Sequence, residues 1–411
     1  MAVEFSSFAK KQPVVDPVAK HSARCSDRSK PIQSQTAYSS RTAHSSVDQL
    51  QTNQSETTVL AIETSCDETA VAVVRGRTVL SSIVSSQIEI HRPYGGVVPE
   101  VASREHVGVV GDAIAQAMSQ SRLDWEDVDA IATTCAPGLV GALMVGITAA
   151  KTLAMVYNKP FLGIHHLEGH IHAAYLSDLE LQPPFLCLLV SGGHTSLIQV
   201  RATGDYVTIG KTRDDAAGEA FDKVARLLEL GYPGGPAIDQ LARQGNPKAF
   251  TLPEGKISLP GGGFHRYDAS FSGLKTAVRR LIEKLQAEAL SRNGEVPKAD
   301  VAASFQTTVV KALVKRAIAC ANDYSLDTIV VGGGVAANSE LRETLAQAAI
   351  EHRIKVLFPP MKYCTDNAAM IACAGVAQFD RGARSPFTLG AQSKLSLTDV
   401  NELYVVEQAR D

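Results

Sequence analysis

The sequence predicts an α/β protein built from two lobes of similar architecture with a cleft between them. Two segments support this prediction, "TVLAIETSCDETAVAVV" from Thr58 and "FLCLLVSGGHTSLIQV" from Phe185. Each has an apolar run, a short polar turn and a second apolar run, as two strands joined by a tight turn would have. Further strand and helix patterns follow both segments, so the same order of elements occurs twice and indicates a duplicated architecture.

Length and composition fit a globular protein of this size. The chain has 411 residues, of which 45% are hydrophobic and 20% charged, and this is enough for two lobes with separate cores. The formal net charge of -3 gives no overall attraction to nucleic acid, so a polyanion would need a local basic patch. The seven cysteines never form a CxxC motif, which favours a reducing compartment.

The first 57 residues differ from the rest of the chain. They are rich in Ser, Gln and Thr and have no helical or strand periodicity, so we expect residues 1–57 to be a disordered extension. Its basic, Ser-rich character allows an organelle transit peptide, but scattered acids favour an extension that is retained. We therefore expect a cytoplasmic protein, with an organelle as the alternative.

The remaining elements are predicted in chain order from hydrophobic periodicity. "GRTVLSSIVSSQI" continues the first sheet, "PEVASREHVGVVGDAIAQAM" has helical spacing, and "AIATTCA" and "PFLGI" are short strands. Between those strands, "LVGALMVGITAAKTLAMV" contains Lys151 and is shorter than the ~20 residues of a membrane span, so a buried helix is predicted. We expect a first lobe of residues 58–165 with about 375–411, and a second lobe of residues 166–374.

The second half is interpreted in the same way. "GEAFDKVARLLELGYPGGPAIDQLA" predicts two helices around a Gly-Pro turn. "DTIVVGGGVAANSELRETLAQAA" predicts a strand, a glycine loop and a helix, and "KVLFPPMKYCTDNAAMIACAGV" a strand, a loop and a final core helix.

Three loops have the composition of phosphate-binding turns. "ETSCDET", "SGGHTS" and "GGGVAANSE" each follow an apolar strand and contain small residues whose backbone amides can contact phosphate oxygens. None contains the P-loop motif or the complete GxGxxG pattern. Each loop alone would suit an ordinary turn, but their combination at strand ends favours a two-lobed nucleotide cleft.

The segment "HHLEGHIHAAY" contains four of the eleven histidines. On a helix, His166 and His170 share a face because they are four residues apart, so they could bind one ion. His165 and His172 would point in other directions, either as groups that contact the metal ligands from behind or as surface groups. Glu168 lies two residues from each of the pair, which misplaces the catalytic base of an HExxH peptidase.

A carboxylate to complete the pair is available in "YCTDNAAM". Asp366 lies between a strand and a core helix, where an unpaired charge is costly. The alternative is that Asp366 is the N-cap of that helix. Two histidines and one carboxylate suit Fe(II) or Zn(II) with coordination positions left open.

Two further groups of polar residues have both functional and ordinary interpretations. Asp222 and Asp239 flank the Gly-Pro turn and could accept hydrogen bonds from ribose hydroxyls, or could be solvated acids. The segment "RYDASFSGLKTAVRRLIEK" is a local candidate for RNA contact or else a solvated helix face. Its relevant residues are Arg266, Tyr267, Phe271, Lys275, Arg279, Arg280 and Lys284.

Nine segments together resemble a known family. They are "AIETSCDET", "GGVVPEVASREH", "HHLEGHIHA", "LLVSGGHT", "GEAFDKVARLL", "YPGGP", "SFSGLKTA", "GGGVAANSELR" and "CTDNAAMIA". They are similar to the TsaD-type tRNA threonylcarbamoyladenosine synthases, formerly described as O-sialoglycoprotein endopeptidases. The resemblance extends from Thr58 to the end of the chain. It implies the two-lobed fold shared by actin, sugar kinases and heat-shock ATPases.

The resemblance also implies an activity. The enzyme would transfer the threonylcarbamoyl group from threonylcarbamoyl-adenylate to the exocyclic amine of the adenosine next to the anticodon, tRNA position 37, in tRNAs that read codons beginning with A. AMP would be released. The implied partners are tRNA, a TsaB-type paralogue and a TsaE-type ATPase, without a membrane. An ATPase or sugar kinase of the same fold is the alternative, followed by a metallopeptidase and then by a non-catalytic scaffold that binds nucleotide.

Site residues follow from the same resemblance. His166, His170 and Asp366 match the metal ligands for one divalent ion per subunit, with Fe(II) favoured over Zn(II), and no further catalytic residue is implied. The second lobe would carry this metal site and the adenylate site. The implied substrate-binding positions are Leu189, Val190, Ser191, Gly192, Gly193, Asp222, Gly235, Asp239 and Asn338.

One position departs from the family pattern. Some relatives place a tyrosine hydroxyl on the metal at the position where this chain has Leu189. We therefore expect water or substrate to complete the coordination here.

Overall fold

A computed structural model describes residues 56–292 and 294–406. Its strands form two five-stranded sheets and one small strand pair. The first sheet contains β1 Thr58–Glu63, β2 Glu68–Arg75, β3 Thr78–Ser86, β4 Ala130–Ala136 and β5 Phe161–His165. The second contains β6 Phe185–Val190, β7 Thr195–Ala202, β8 Asp205–Lys211, β9 Thr328–Gly332 and β10 Lys355–Leu357, and the small pair is β11 Ala383–Arg384 with β12 Val405–Val406.

Most α-helices within these ranges follow the predicted segments, whereas the helices Ile88–His91 and Lys298–Asp323 lie where no element was predicted. They are α1 Ile88–His91, α2 Pro99–Ser121, α3 Val140–Val156, α4 His166–His172, α5 Ala217–Leu227, α6 Gly234–Ala242, α7 Ser272–Arg292, α8 Lys298–Asp323, α9 Ser339–His352 and α10 Ala368–Asp380. No helix in the described part of the chain is long and apolar enough to cross a membrane. The apolar helix α3 buries one face through Leu143 and Ile147, whereas Met144 is exposed.

The two sheets have the same topology. The first has the strand order β3-β2-β1-β4-β5, and the second, from its antiparallel edge, has the order β8-β7-β6-β9-β10. In both sheets three strands are antiparallel and the remaining two add in parallel. The sequence-based prediction of a duplicated, two-lobed α/β architecture is therefore confirmed.

The central strand of the first sheet is covered on both faces, which explains its continuous apolar sequence. Leu60 and Ile62 belong to a core with residues of α2 and α3. Val59 and Ala61 belong to another core with residues of α10. Alternate side chains of one strand thus reach two different cores.

The first strand of the second sheet has the same alternation. Leu186, Leu188 and Val190 of β6 pack with α5, α8 and α9. Phe185 and Leu189 belong to a separate core that also includes residues of β4, α3, α4 and α10. This shared core joins the two sheets, and α4 with its histidines lies in it.

The predicted domain boundaries remain a prediction. Helix α10 spans the proposed boundary near residue 375, and its buried residues from Ala368 onward pack with β1, β2 and β4 of the first sheet. The predicted extension, residues 1–57, lies almost entirely outside the described residues, which begin at residue 56.

Candidate functional site

The histidine segment begins where β5 ends. His165 is the N-cap of α4, because its Nδ1 accepts a hydrogen bond from the Leu167 backbone N–H at 3.2 Å. Its Nε2 lies 3.1 Å from the Leu395 carbonyl oxygen. Burial lowers the pKa of His165 to about 3, so the ring is neutral and both nitrogens are occupied by structural contacts. It is not available as a metal ligand.

His166 and His170 lie together on one face of α4, as the spacing predicts. Their ring centroids are 4.7 Å apart. Asp366 approaches both rings: its Oδ1 is 3.4 Å from Nε2 of His166 and 3.3 Å from Nε2 of His170. One ligand atom from each of the three residues lies within 4.8 Å of the others.

These three residues fit a divalent metal ion. The side-chain nitrogens of His170 are fully buried, yet neither has a hydrogen bond to any described residue, because the 3.3 Å contact with Asp366 lacks hydrogen-bond geometry. Such an unsatisfied buried imidazole is costly unless it binds an ion. Metal–ligand bonds of about 2.1 Å in a tetrahedron also separate ligand atoms by roughly 3.4 Å, which suits the observed distances.

Asp366 does not cap the helix that follows it. Asn367 is the N-cap of α10, and its side chain accepts a hydrogen bond from the Met370 N–H at 2.9 Å. Burial alone would raise the pKa of Asp366, but the electrostatic attraction of the adjacent His166 lowers it strongly. The alternative N-cap role is therefore wrong, and the charged carboxylate faces the two histidines.

A fourth residue of the site, Glu63, was not predicted from the sequence. It ends β1 and is fully buried. Its Oε2 lies 3.1 Å from Nδ1 of His166. A glutamate at the end of an apolar strand, directly before the polar turn "TSCDET", is a sequence feature that could have drawn attention to Glu63. Sequence spacing could not identify His166 as its partner.

Glu168 and His172 lie on the other side of α4. Glu168 is fully buried and accepts hydrogen bonds from the Tyr206 hydroxyl at 2.7 Å and the Gln378 amide at 2.6 Å. Its burial raises its pKa to about 7. The prediction that Glu168 points away from the metal pair is confirmed. His172 is also buried, as is His165. Of the two expected positions for these histidines, behind the metal ligands or at the surface, the surface position is therefore wrong.

The candidate adenylate loop follows β6. Leu189 and Val190 are fully buried strand residues whose side chains belong to two different cores, so only their backbone atoms are available to a ligand. Gly192 and Gly193 are exposed, and a Cβ on either would meet no atom within 4 Å. The loop from Ser191 to Gly193 therefore leaves space beside its backbone amides.

Glycines bring two other segments close to this loop. A Cβ on Gly218, near the start of α5, would lie 2.5 Å from the Ser191 carbonyl oxygen. A Cβ on Gly333, in the loop after β9, would lie 2.4 Å from the Val190 carbonyl oxygen. These close approaches place the N-terminus of α5, a favourable position for a phosphate, beside two of the three predicted phosphate-binding loops.

The remaining predicted substrate residues form two hydrogen-bonded groups. Asp222 accepts the Gly234 N–H at 2.8 Å, next to Gly235, where a Cβ would meet open space. Asp239 accepts hydrogen bonds from the Ser339 hydroxyl at 2.8 Å and the Asn338 amide at 3.2 Å. Asn338 also caps α9. The structure thus brings Asp239 to Asn338 and Asp222 to Gly235, and gives each side chain a structural contact.

The segment considered for RNA contact has a structural explanation. Phe271 is fully buried in the core of the second sheet, and the Tyr267 hydroxyl donates to Asp323. The basic residues Arg266, Lys275, Arg279 and Lys284 all have acidic partners. These contacts favour the solvated helix face over an RNA surface with interleaved aromatic residues.

Fold and site together define a two-lobed α/β protein with duplicated sheets, glycine-rich loops at strand ends and a candidate His-His-Asp metal site. The profile of the family described as "TsaD: tRNA N6-adenosine threonylcarbamoyltransferase" matches residues 78–373. The chain therefore belongs to the TsaD family, as its resemblance implied.

Individual relatives agree with this assignment. A protein of Nostoc punctiforme is 70% identical over 349 residues, which cover 85% of this chain and 99% of the relative. A protein of Acaryochloris marina is 67% identical over 347 residues, which cover 84% and 95% of the two chains. Both relatives are named tRNA N6-adenosine threonylcarbamoyltransferase.

Among solved structures, the chain resembles HypF of T. kodakarensis with a TM-score of 0.54 and 15% sequence identity. A full-length HypF in its phosphate- and nucleotide-bound form gives a TM-score of 0.53 and 13% identity. The matches cover 80% of this chain but only 49% and 47% of the HypF chains, so the chain spans about half of HypF. At this identity the likeness concerns the fold alone.

Proposed function

We propose that this chain transfers the threonylcarbamoyl group from threonylcarbamoyl-adenylate to the N6 amine of the adenosine at tRNA position 37, in tRNAs that read codons beginning with A. The observation that carries the proposal is the 70% identity to a tRNA N6-adenosine threonylcarbamoyltransferase, over 85% of this chain and 99% of the relative. The amine forms a bond to the carbamoyl carbon, the bond from that carbon to the phosphate oxygen breaks, and AMP leaves with the electron pair. The amine loses its proton after addition, so no strong general base is needed.

The chain's contribution is to bind and orient the two reactants. The backbone amides of Ser191 to Gly193 and the N-terminus of α5 are suited to bind the adenylate phosphate. Gly218 and Gly333 allow these segments to approach closely. Since AMP is already a good leaving group, orientation of the amine against the carbonyl is the main requirement. Asp222, Gly235, Asp239 and Asn338 line the adenylate site in this proposal.

His166, His170 and Asp366 would hold one divalent ion, with Fe(II) favoured and Zn(II) as the alternative. When bound, such an ion supplies a Lewis acid that polarises the carbonyl oxygen. Leu189 is buried in the shared core and offers no side-chain ligand. This supports the proposal that water or substrate completes the coordination.

The partners proposed from the family are tRNA, a TsaB-type paralogue and a TsaE-type ATPase, and the proposed location is the cytoplasm.

Helices α2 and α3 offer an apolar surface for a protein partner, because Val107, Val140 and Met144 are exposed. The two helices touch there: a Cβ on Gly141 would lie 2.5 Å from Ser103 Oγ. Met144→Asp should weaken association with the paralogue in gel filtration, and unchanged association would contradict this placement.

The test of the activity uses the purified full chain, synthetic threonylcarbamoyl-adenylate, a divalent ion and a tRNA transcript with adenosine at position 37. Mass spectrometry of the digested tRNA should detect threonylcarbamoyladenosine, and a transcript with guanosine at that position should remain unmodified. Steady ATP turnover without tRNA, together with absent modification, would favour the ATPase or kinase alternative. Metal-dependent cleavage of an unfolded protein would favour the peptidase.

A further inference from the structure

A fully buried carboxylate lies behind the candidate metal site. Glu63 is 0% exposed. Its Oε1 accepts the Ser65 backbone N–H at 2.5 Å, and its Oε2 accepts the Thr134 hydroxyl at 2.5 Å. The same Oε2 lies 3.1 Å from Nδ1 of His166. One side chain of the first sheet thus connects β1, β4 and the first residue of α4.

Burial of a carboxylate is costly unless partners compensate for its charge. Both oxygens of Glu63 accept hydrogen bonds from other donors, Oε1 from the Ser65 backbone N–H and Oε2 from the Thr134 hydroxyl. The carboxyl group therefore faces His166 as a hydrogen-bond acceptor. A nitrogen that contacts it at 3.1 Å must carry the hydrogen.

This contact determines the form of the His166 ring. With the hydrogen on Nδ1, the lone pair of a neutral imidazole is on Nε2. Nε2 is the atom that lies 3.4 Å from Oδ1 of Asp366. Ser65 Oγ lies 3.2 Å from the same Nδ1 and can accept the hydrogen too, but it cannot supply a negative charge. His170 has no corresponding partner, since its Nδ1 is unsatisfied among the described residues.

We propose that Glu63 is a positioning residue that fixes the orientation and tautomer of His166, so that Nε2 is directed to a divalent cation. A carboxylate on the far nitrogen of a metal-binding histidine also raises the basicity of that ligand. The inference rests on the metal site of the proposed function. It assigns a role to a residue that touches neither the cation nor the substrate.

The main test compares Glu63→Gln with Thr134→Val. The amide of E63Q has a single oxygen, which cannot accept from Ser65, Thr134 and His166 together. T134V removes only the hydroxyl donor and leaves the contact between Glu63 and His166 in place. Chelator competition with Zn(II) as the probe should give a 10- to 100-fold weaker affinity for E63Q, about the effect known for such outer partners. The affinity of T134V should equal that of the unaltered chain.

A second measurement needs no folded Glu63 variant. NMR spectra of the Zn(II)-loaded, unaltered chain with 15N-labelled histidine should show His166 with a hydrogen on Nδ1 and the ion on Nε2. The His166 signal is assigned by its absence from the spectrum of His166→Gln. An ion on Nδ1, or equal Zn(II) affinities of E63Q and the unaltered chain, would overturn the positioning role. Neither outcome would affect the proposed transfer, whereas an unaltered chain that binds no Zn(II) would overturn both the role and the metal site.

Discussion

Replacing Gly333 with alanine should destabilise the fold and displace the loop that follows β6. The backbone of Gly333 has a φ of +88°, a region that L residues occupy at a cost of about 1–3 kcal/mol. An added Cβ would also lie 2.4 Å from the carbonyl oxygen and 2.7 Å from the carbonyl carbon of Val190. Backbone must then shift, which costs about another 1–3 kcal/mol in a packed region.

The two costs sum to about 2–6 kcal/mol, a large part of the roughly 5–15 kcal/mol by which a native protein is stable. Gly334 is the matched control, because a Cβ there would meet no atom within 4 Å. Gly334→Ala should change stability by less than about 0.5 kcal/mol. Urea unfolding, followed by circular dichroism, gives the stability of each variant. Calorimetric titration with AMP gives the affinity of each variant for the proposed ligand of the loop after β6.

Gly333→Ala should unfold at a clearly lower urea concentration and bind AMP more weakly, because the Val190 carbonyl and Ser191 move together. Equal urea midpoints and equal AMP affinities for the two variants would refute the close approach of these loops. A lower midpoint with unchanged AMP affinity would refute only the assignment of the loop to the adenylate site.

Three further predictions concern single side chains. Asp366→Ala should abolish the thermal stabilisation that Zn(II) gives the unaltered chain, and abolish tRNA modification, while circular dichroism stays native; a variant that loses the metal but keeps full transfer would contradict the metal's role. Gly192→Ala should retain its melting temperature, since the new Cβ meets open space, but bind AMP more weakly; a large stability loss would speak against the open loop. Asp214 accepts the Phe271 N–H at 2.8 Å at the start of α7, and although burial alone would raise its pKa, hydrogen bonds from Ser270 and Ser272 lower it. Its contribution is therefore fully present above its unfolded pKa of about 3.8 and is lost as the pH falls through the lower folded value. Asp214→Ala should cost about 1 kcal/mol at pH 7, the usual net value of such hydrogen bonds, and progressively less in acid. A loss of stability that does not depend on pH would contradict this.

The sequence predicted those parts of the site that depend on local geometry. His166 and His170 share a face because the helix repeat requires it. Whether Asp366 or its neighbour Asn367 caps α10 could not be predicted, because both residue types are good caps and only the backbone conformation decides. Glu63 was missed because its partner His166 is 103 positions away, and no periodicity connects residues across two strands and a helix.

For the residues implied by the family resemblance, the structure was needed to show which of their atoms a ligand could reach. Successive side chains of a strand point to opposite faces, so the run that includes Leu189 and Val190 cannot present both to one ligand. The structure places the two side chains in two separate cores. Similarly, Phe271 looked available for RNA contact by composition, but it is part of the core behind α7. Burial of an aromatic residue depends on which helix covers it, and that information is not local.

The position of α4 links the two sheets energetically. Its first histidine contacts Glu63 of the first sheet at 3.1 Å, while the backbone of His170 lies against Gly332 of the second sheet, where a Cβ would come within 3.1 Å of the His170 carbonyl oxygen. A rotation of one sheet relative to the other that moved these atoms by about 1 Å would strain one of the two contacts. We therefore expect the affinity of the candidate site for a cation to depend on the angle between the lobes. By reciprocity, a ligand that changed this angle would alter the affinity for the ion by the same factor as the ion alters the affinity for that ligand.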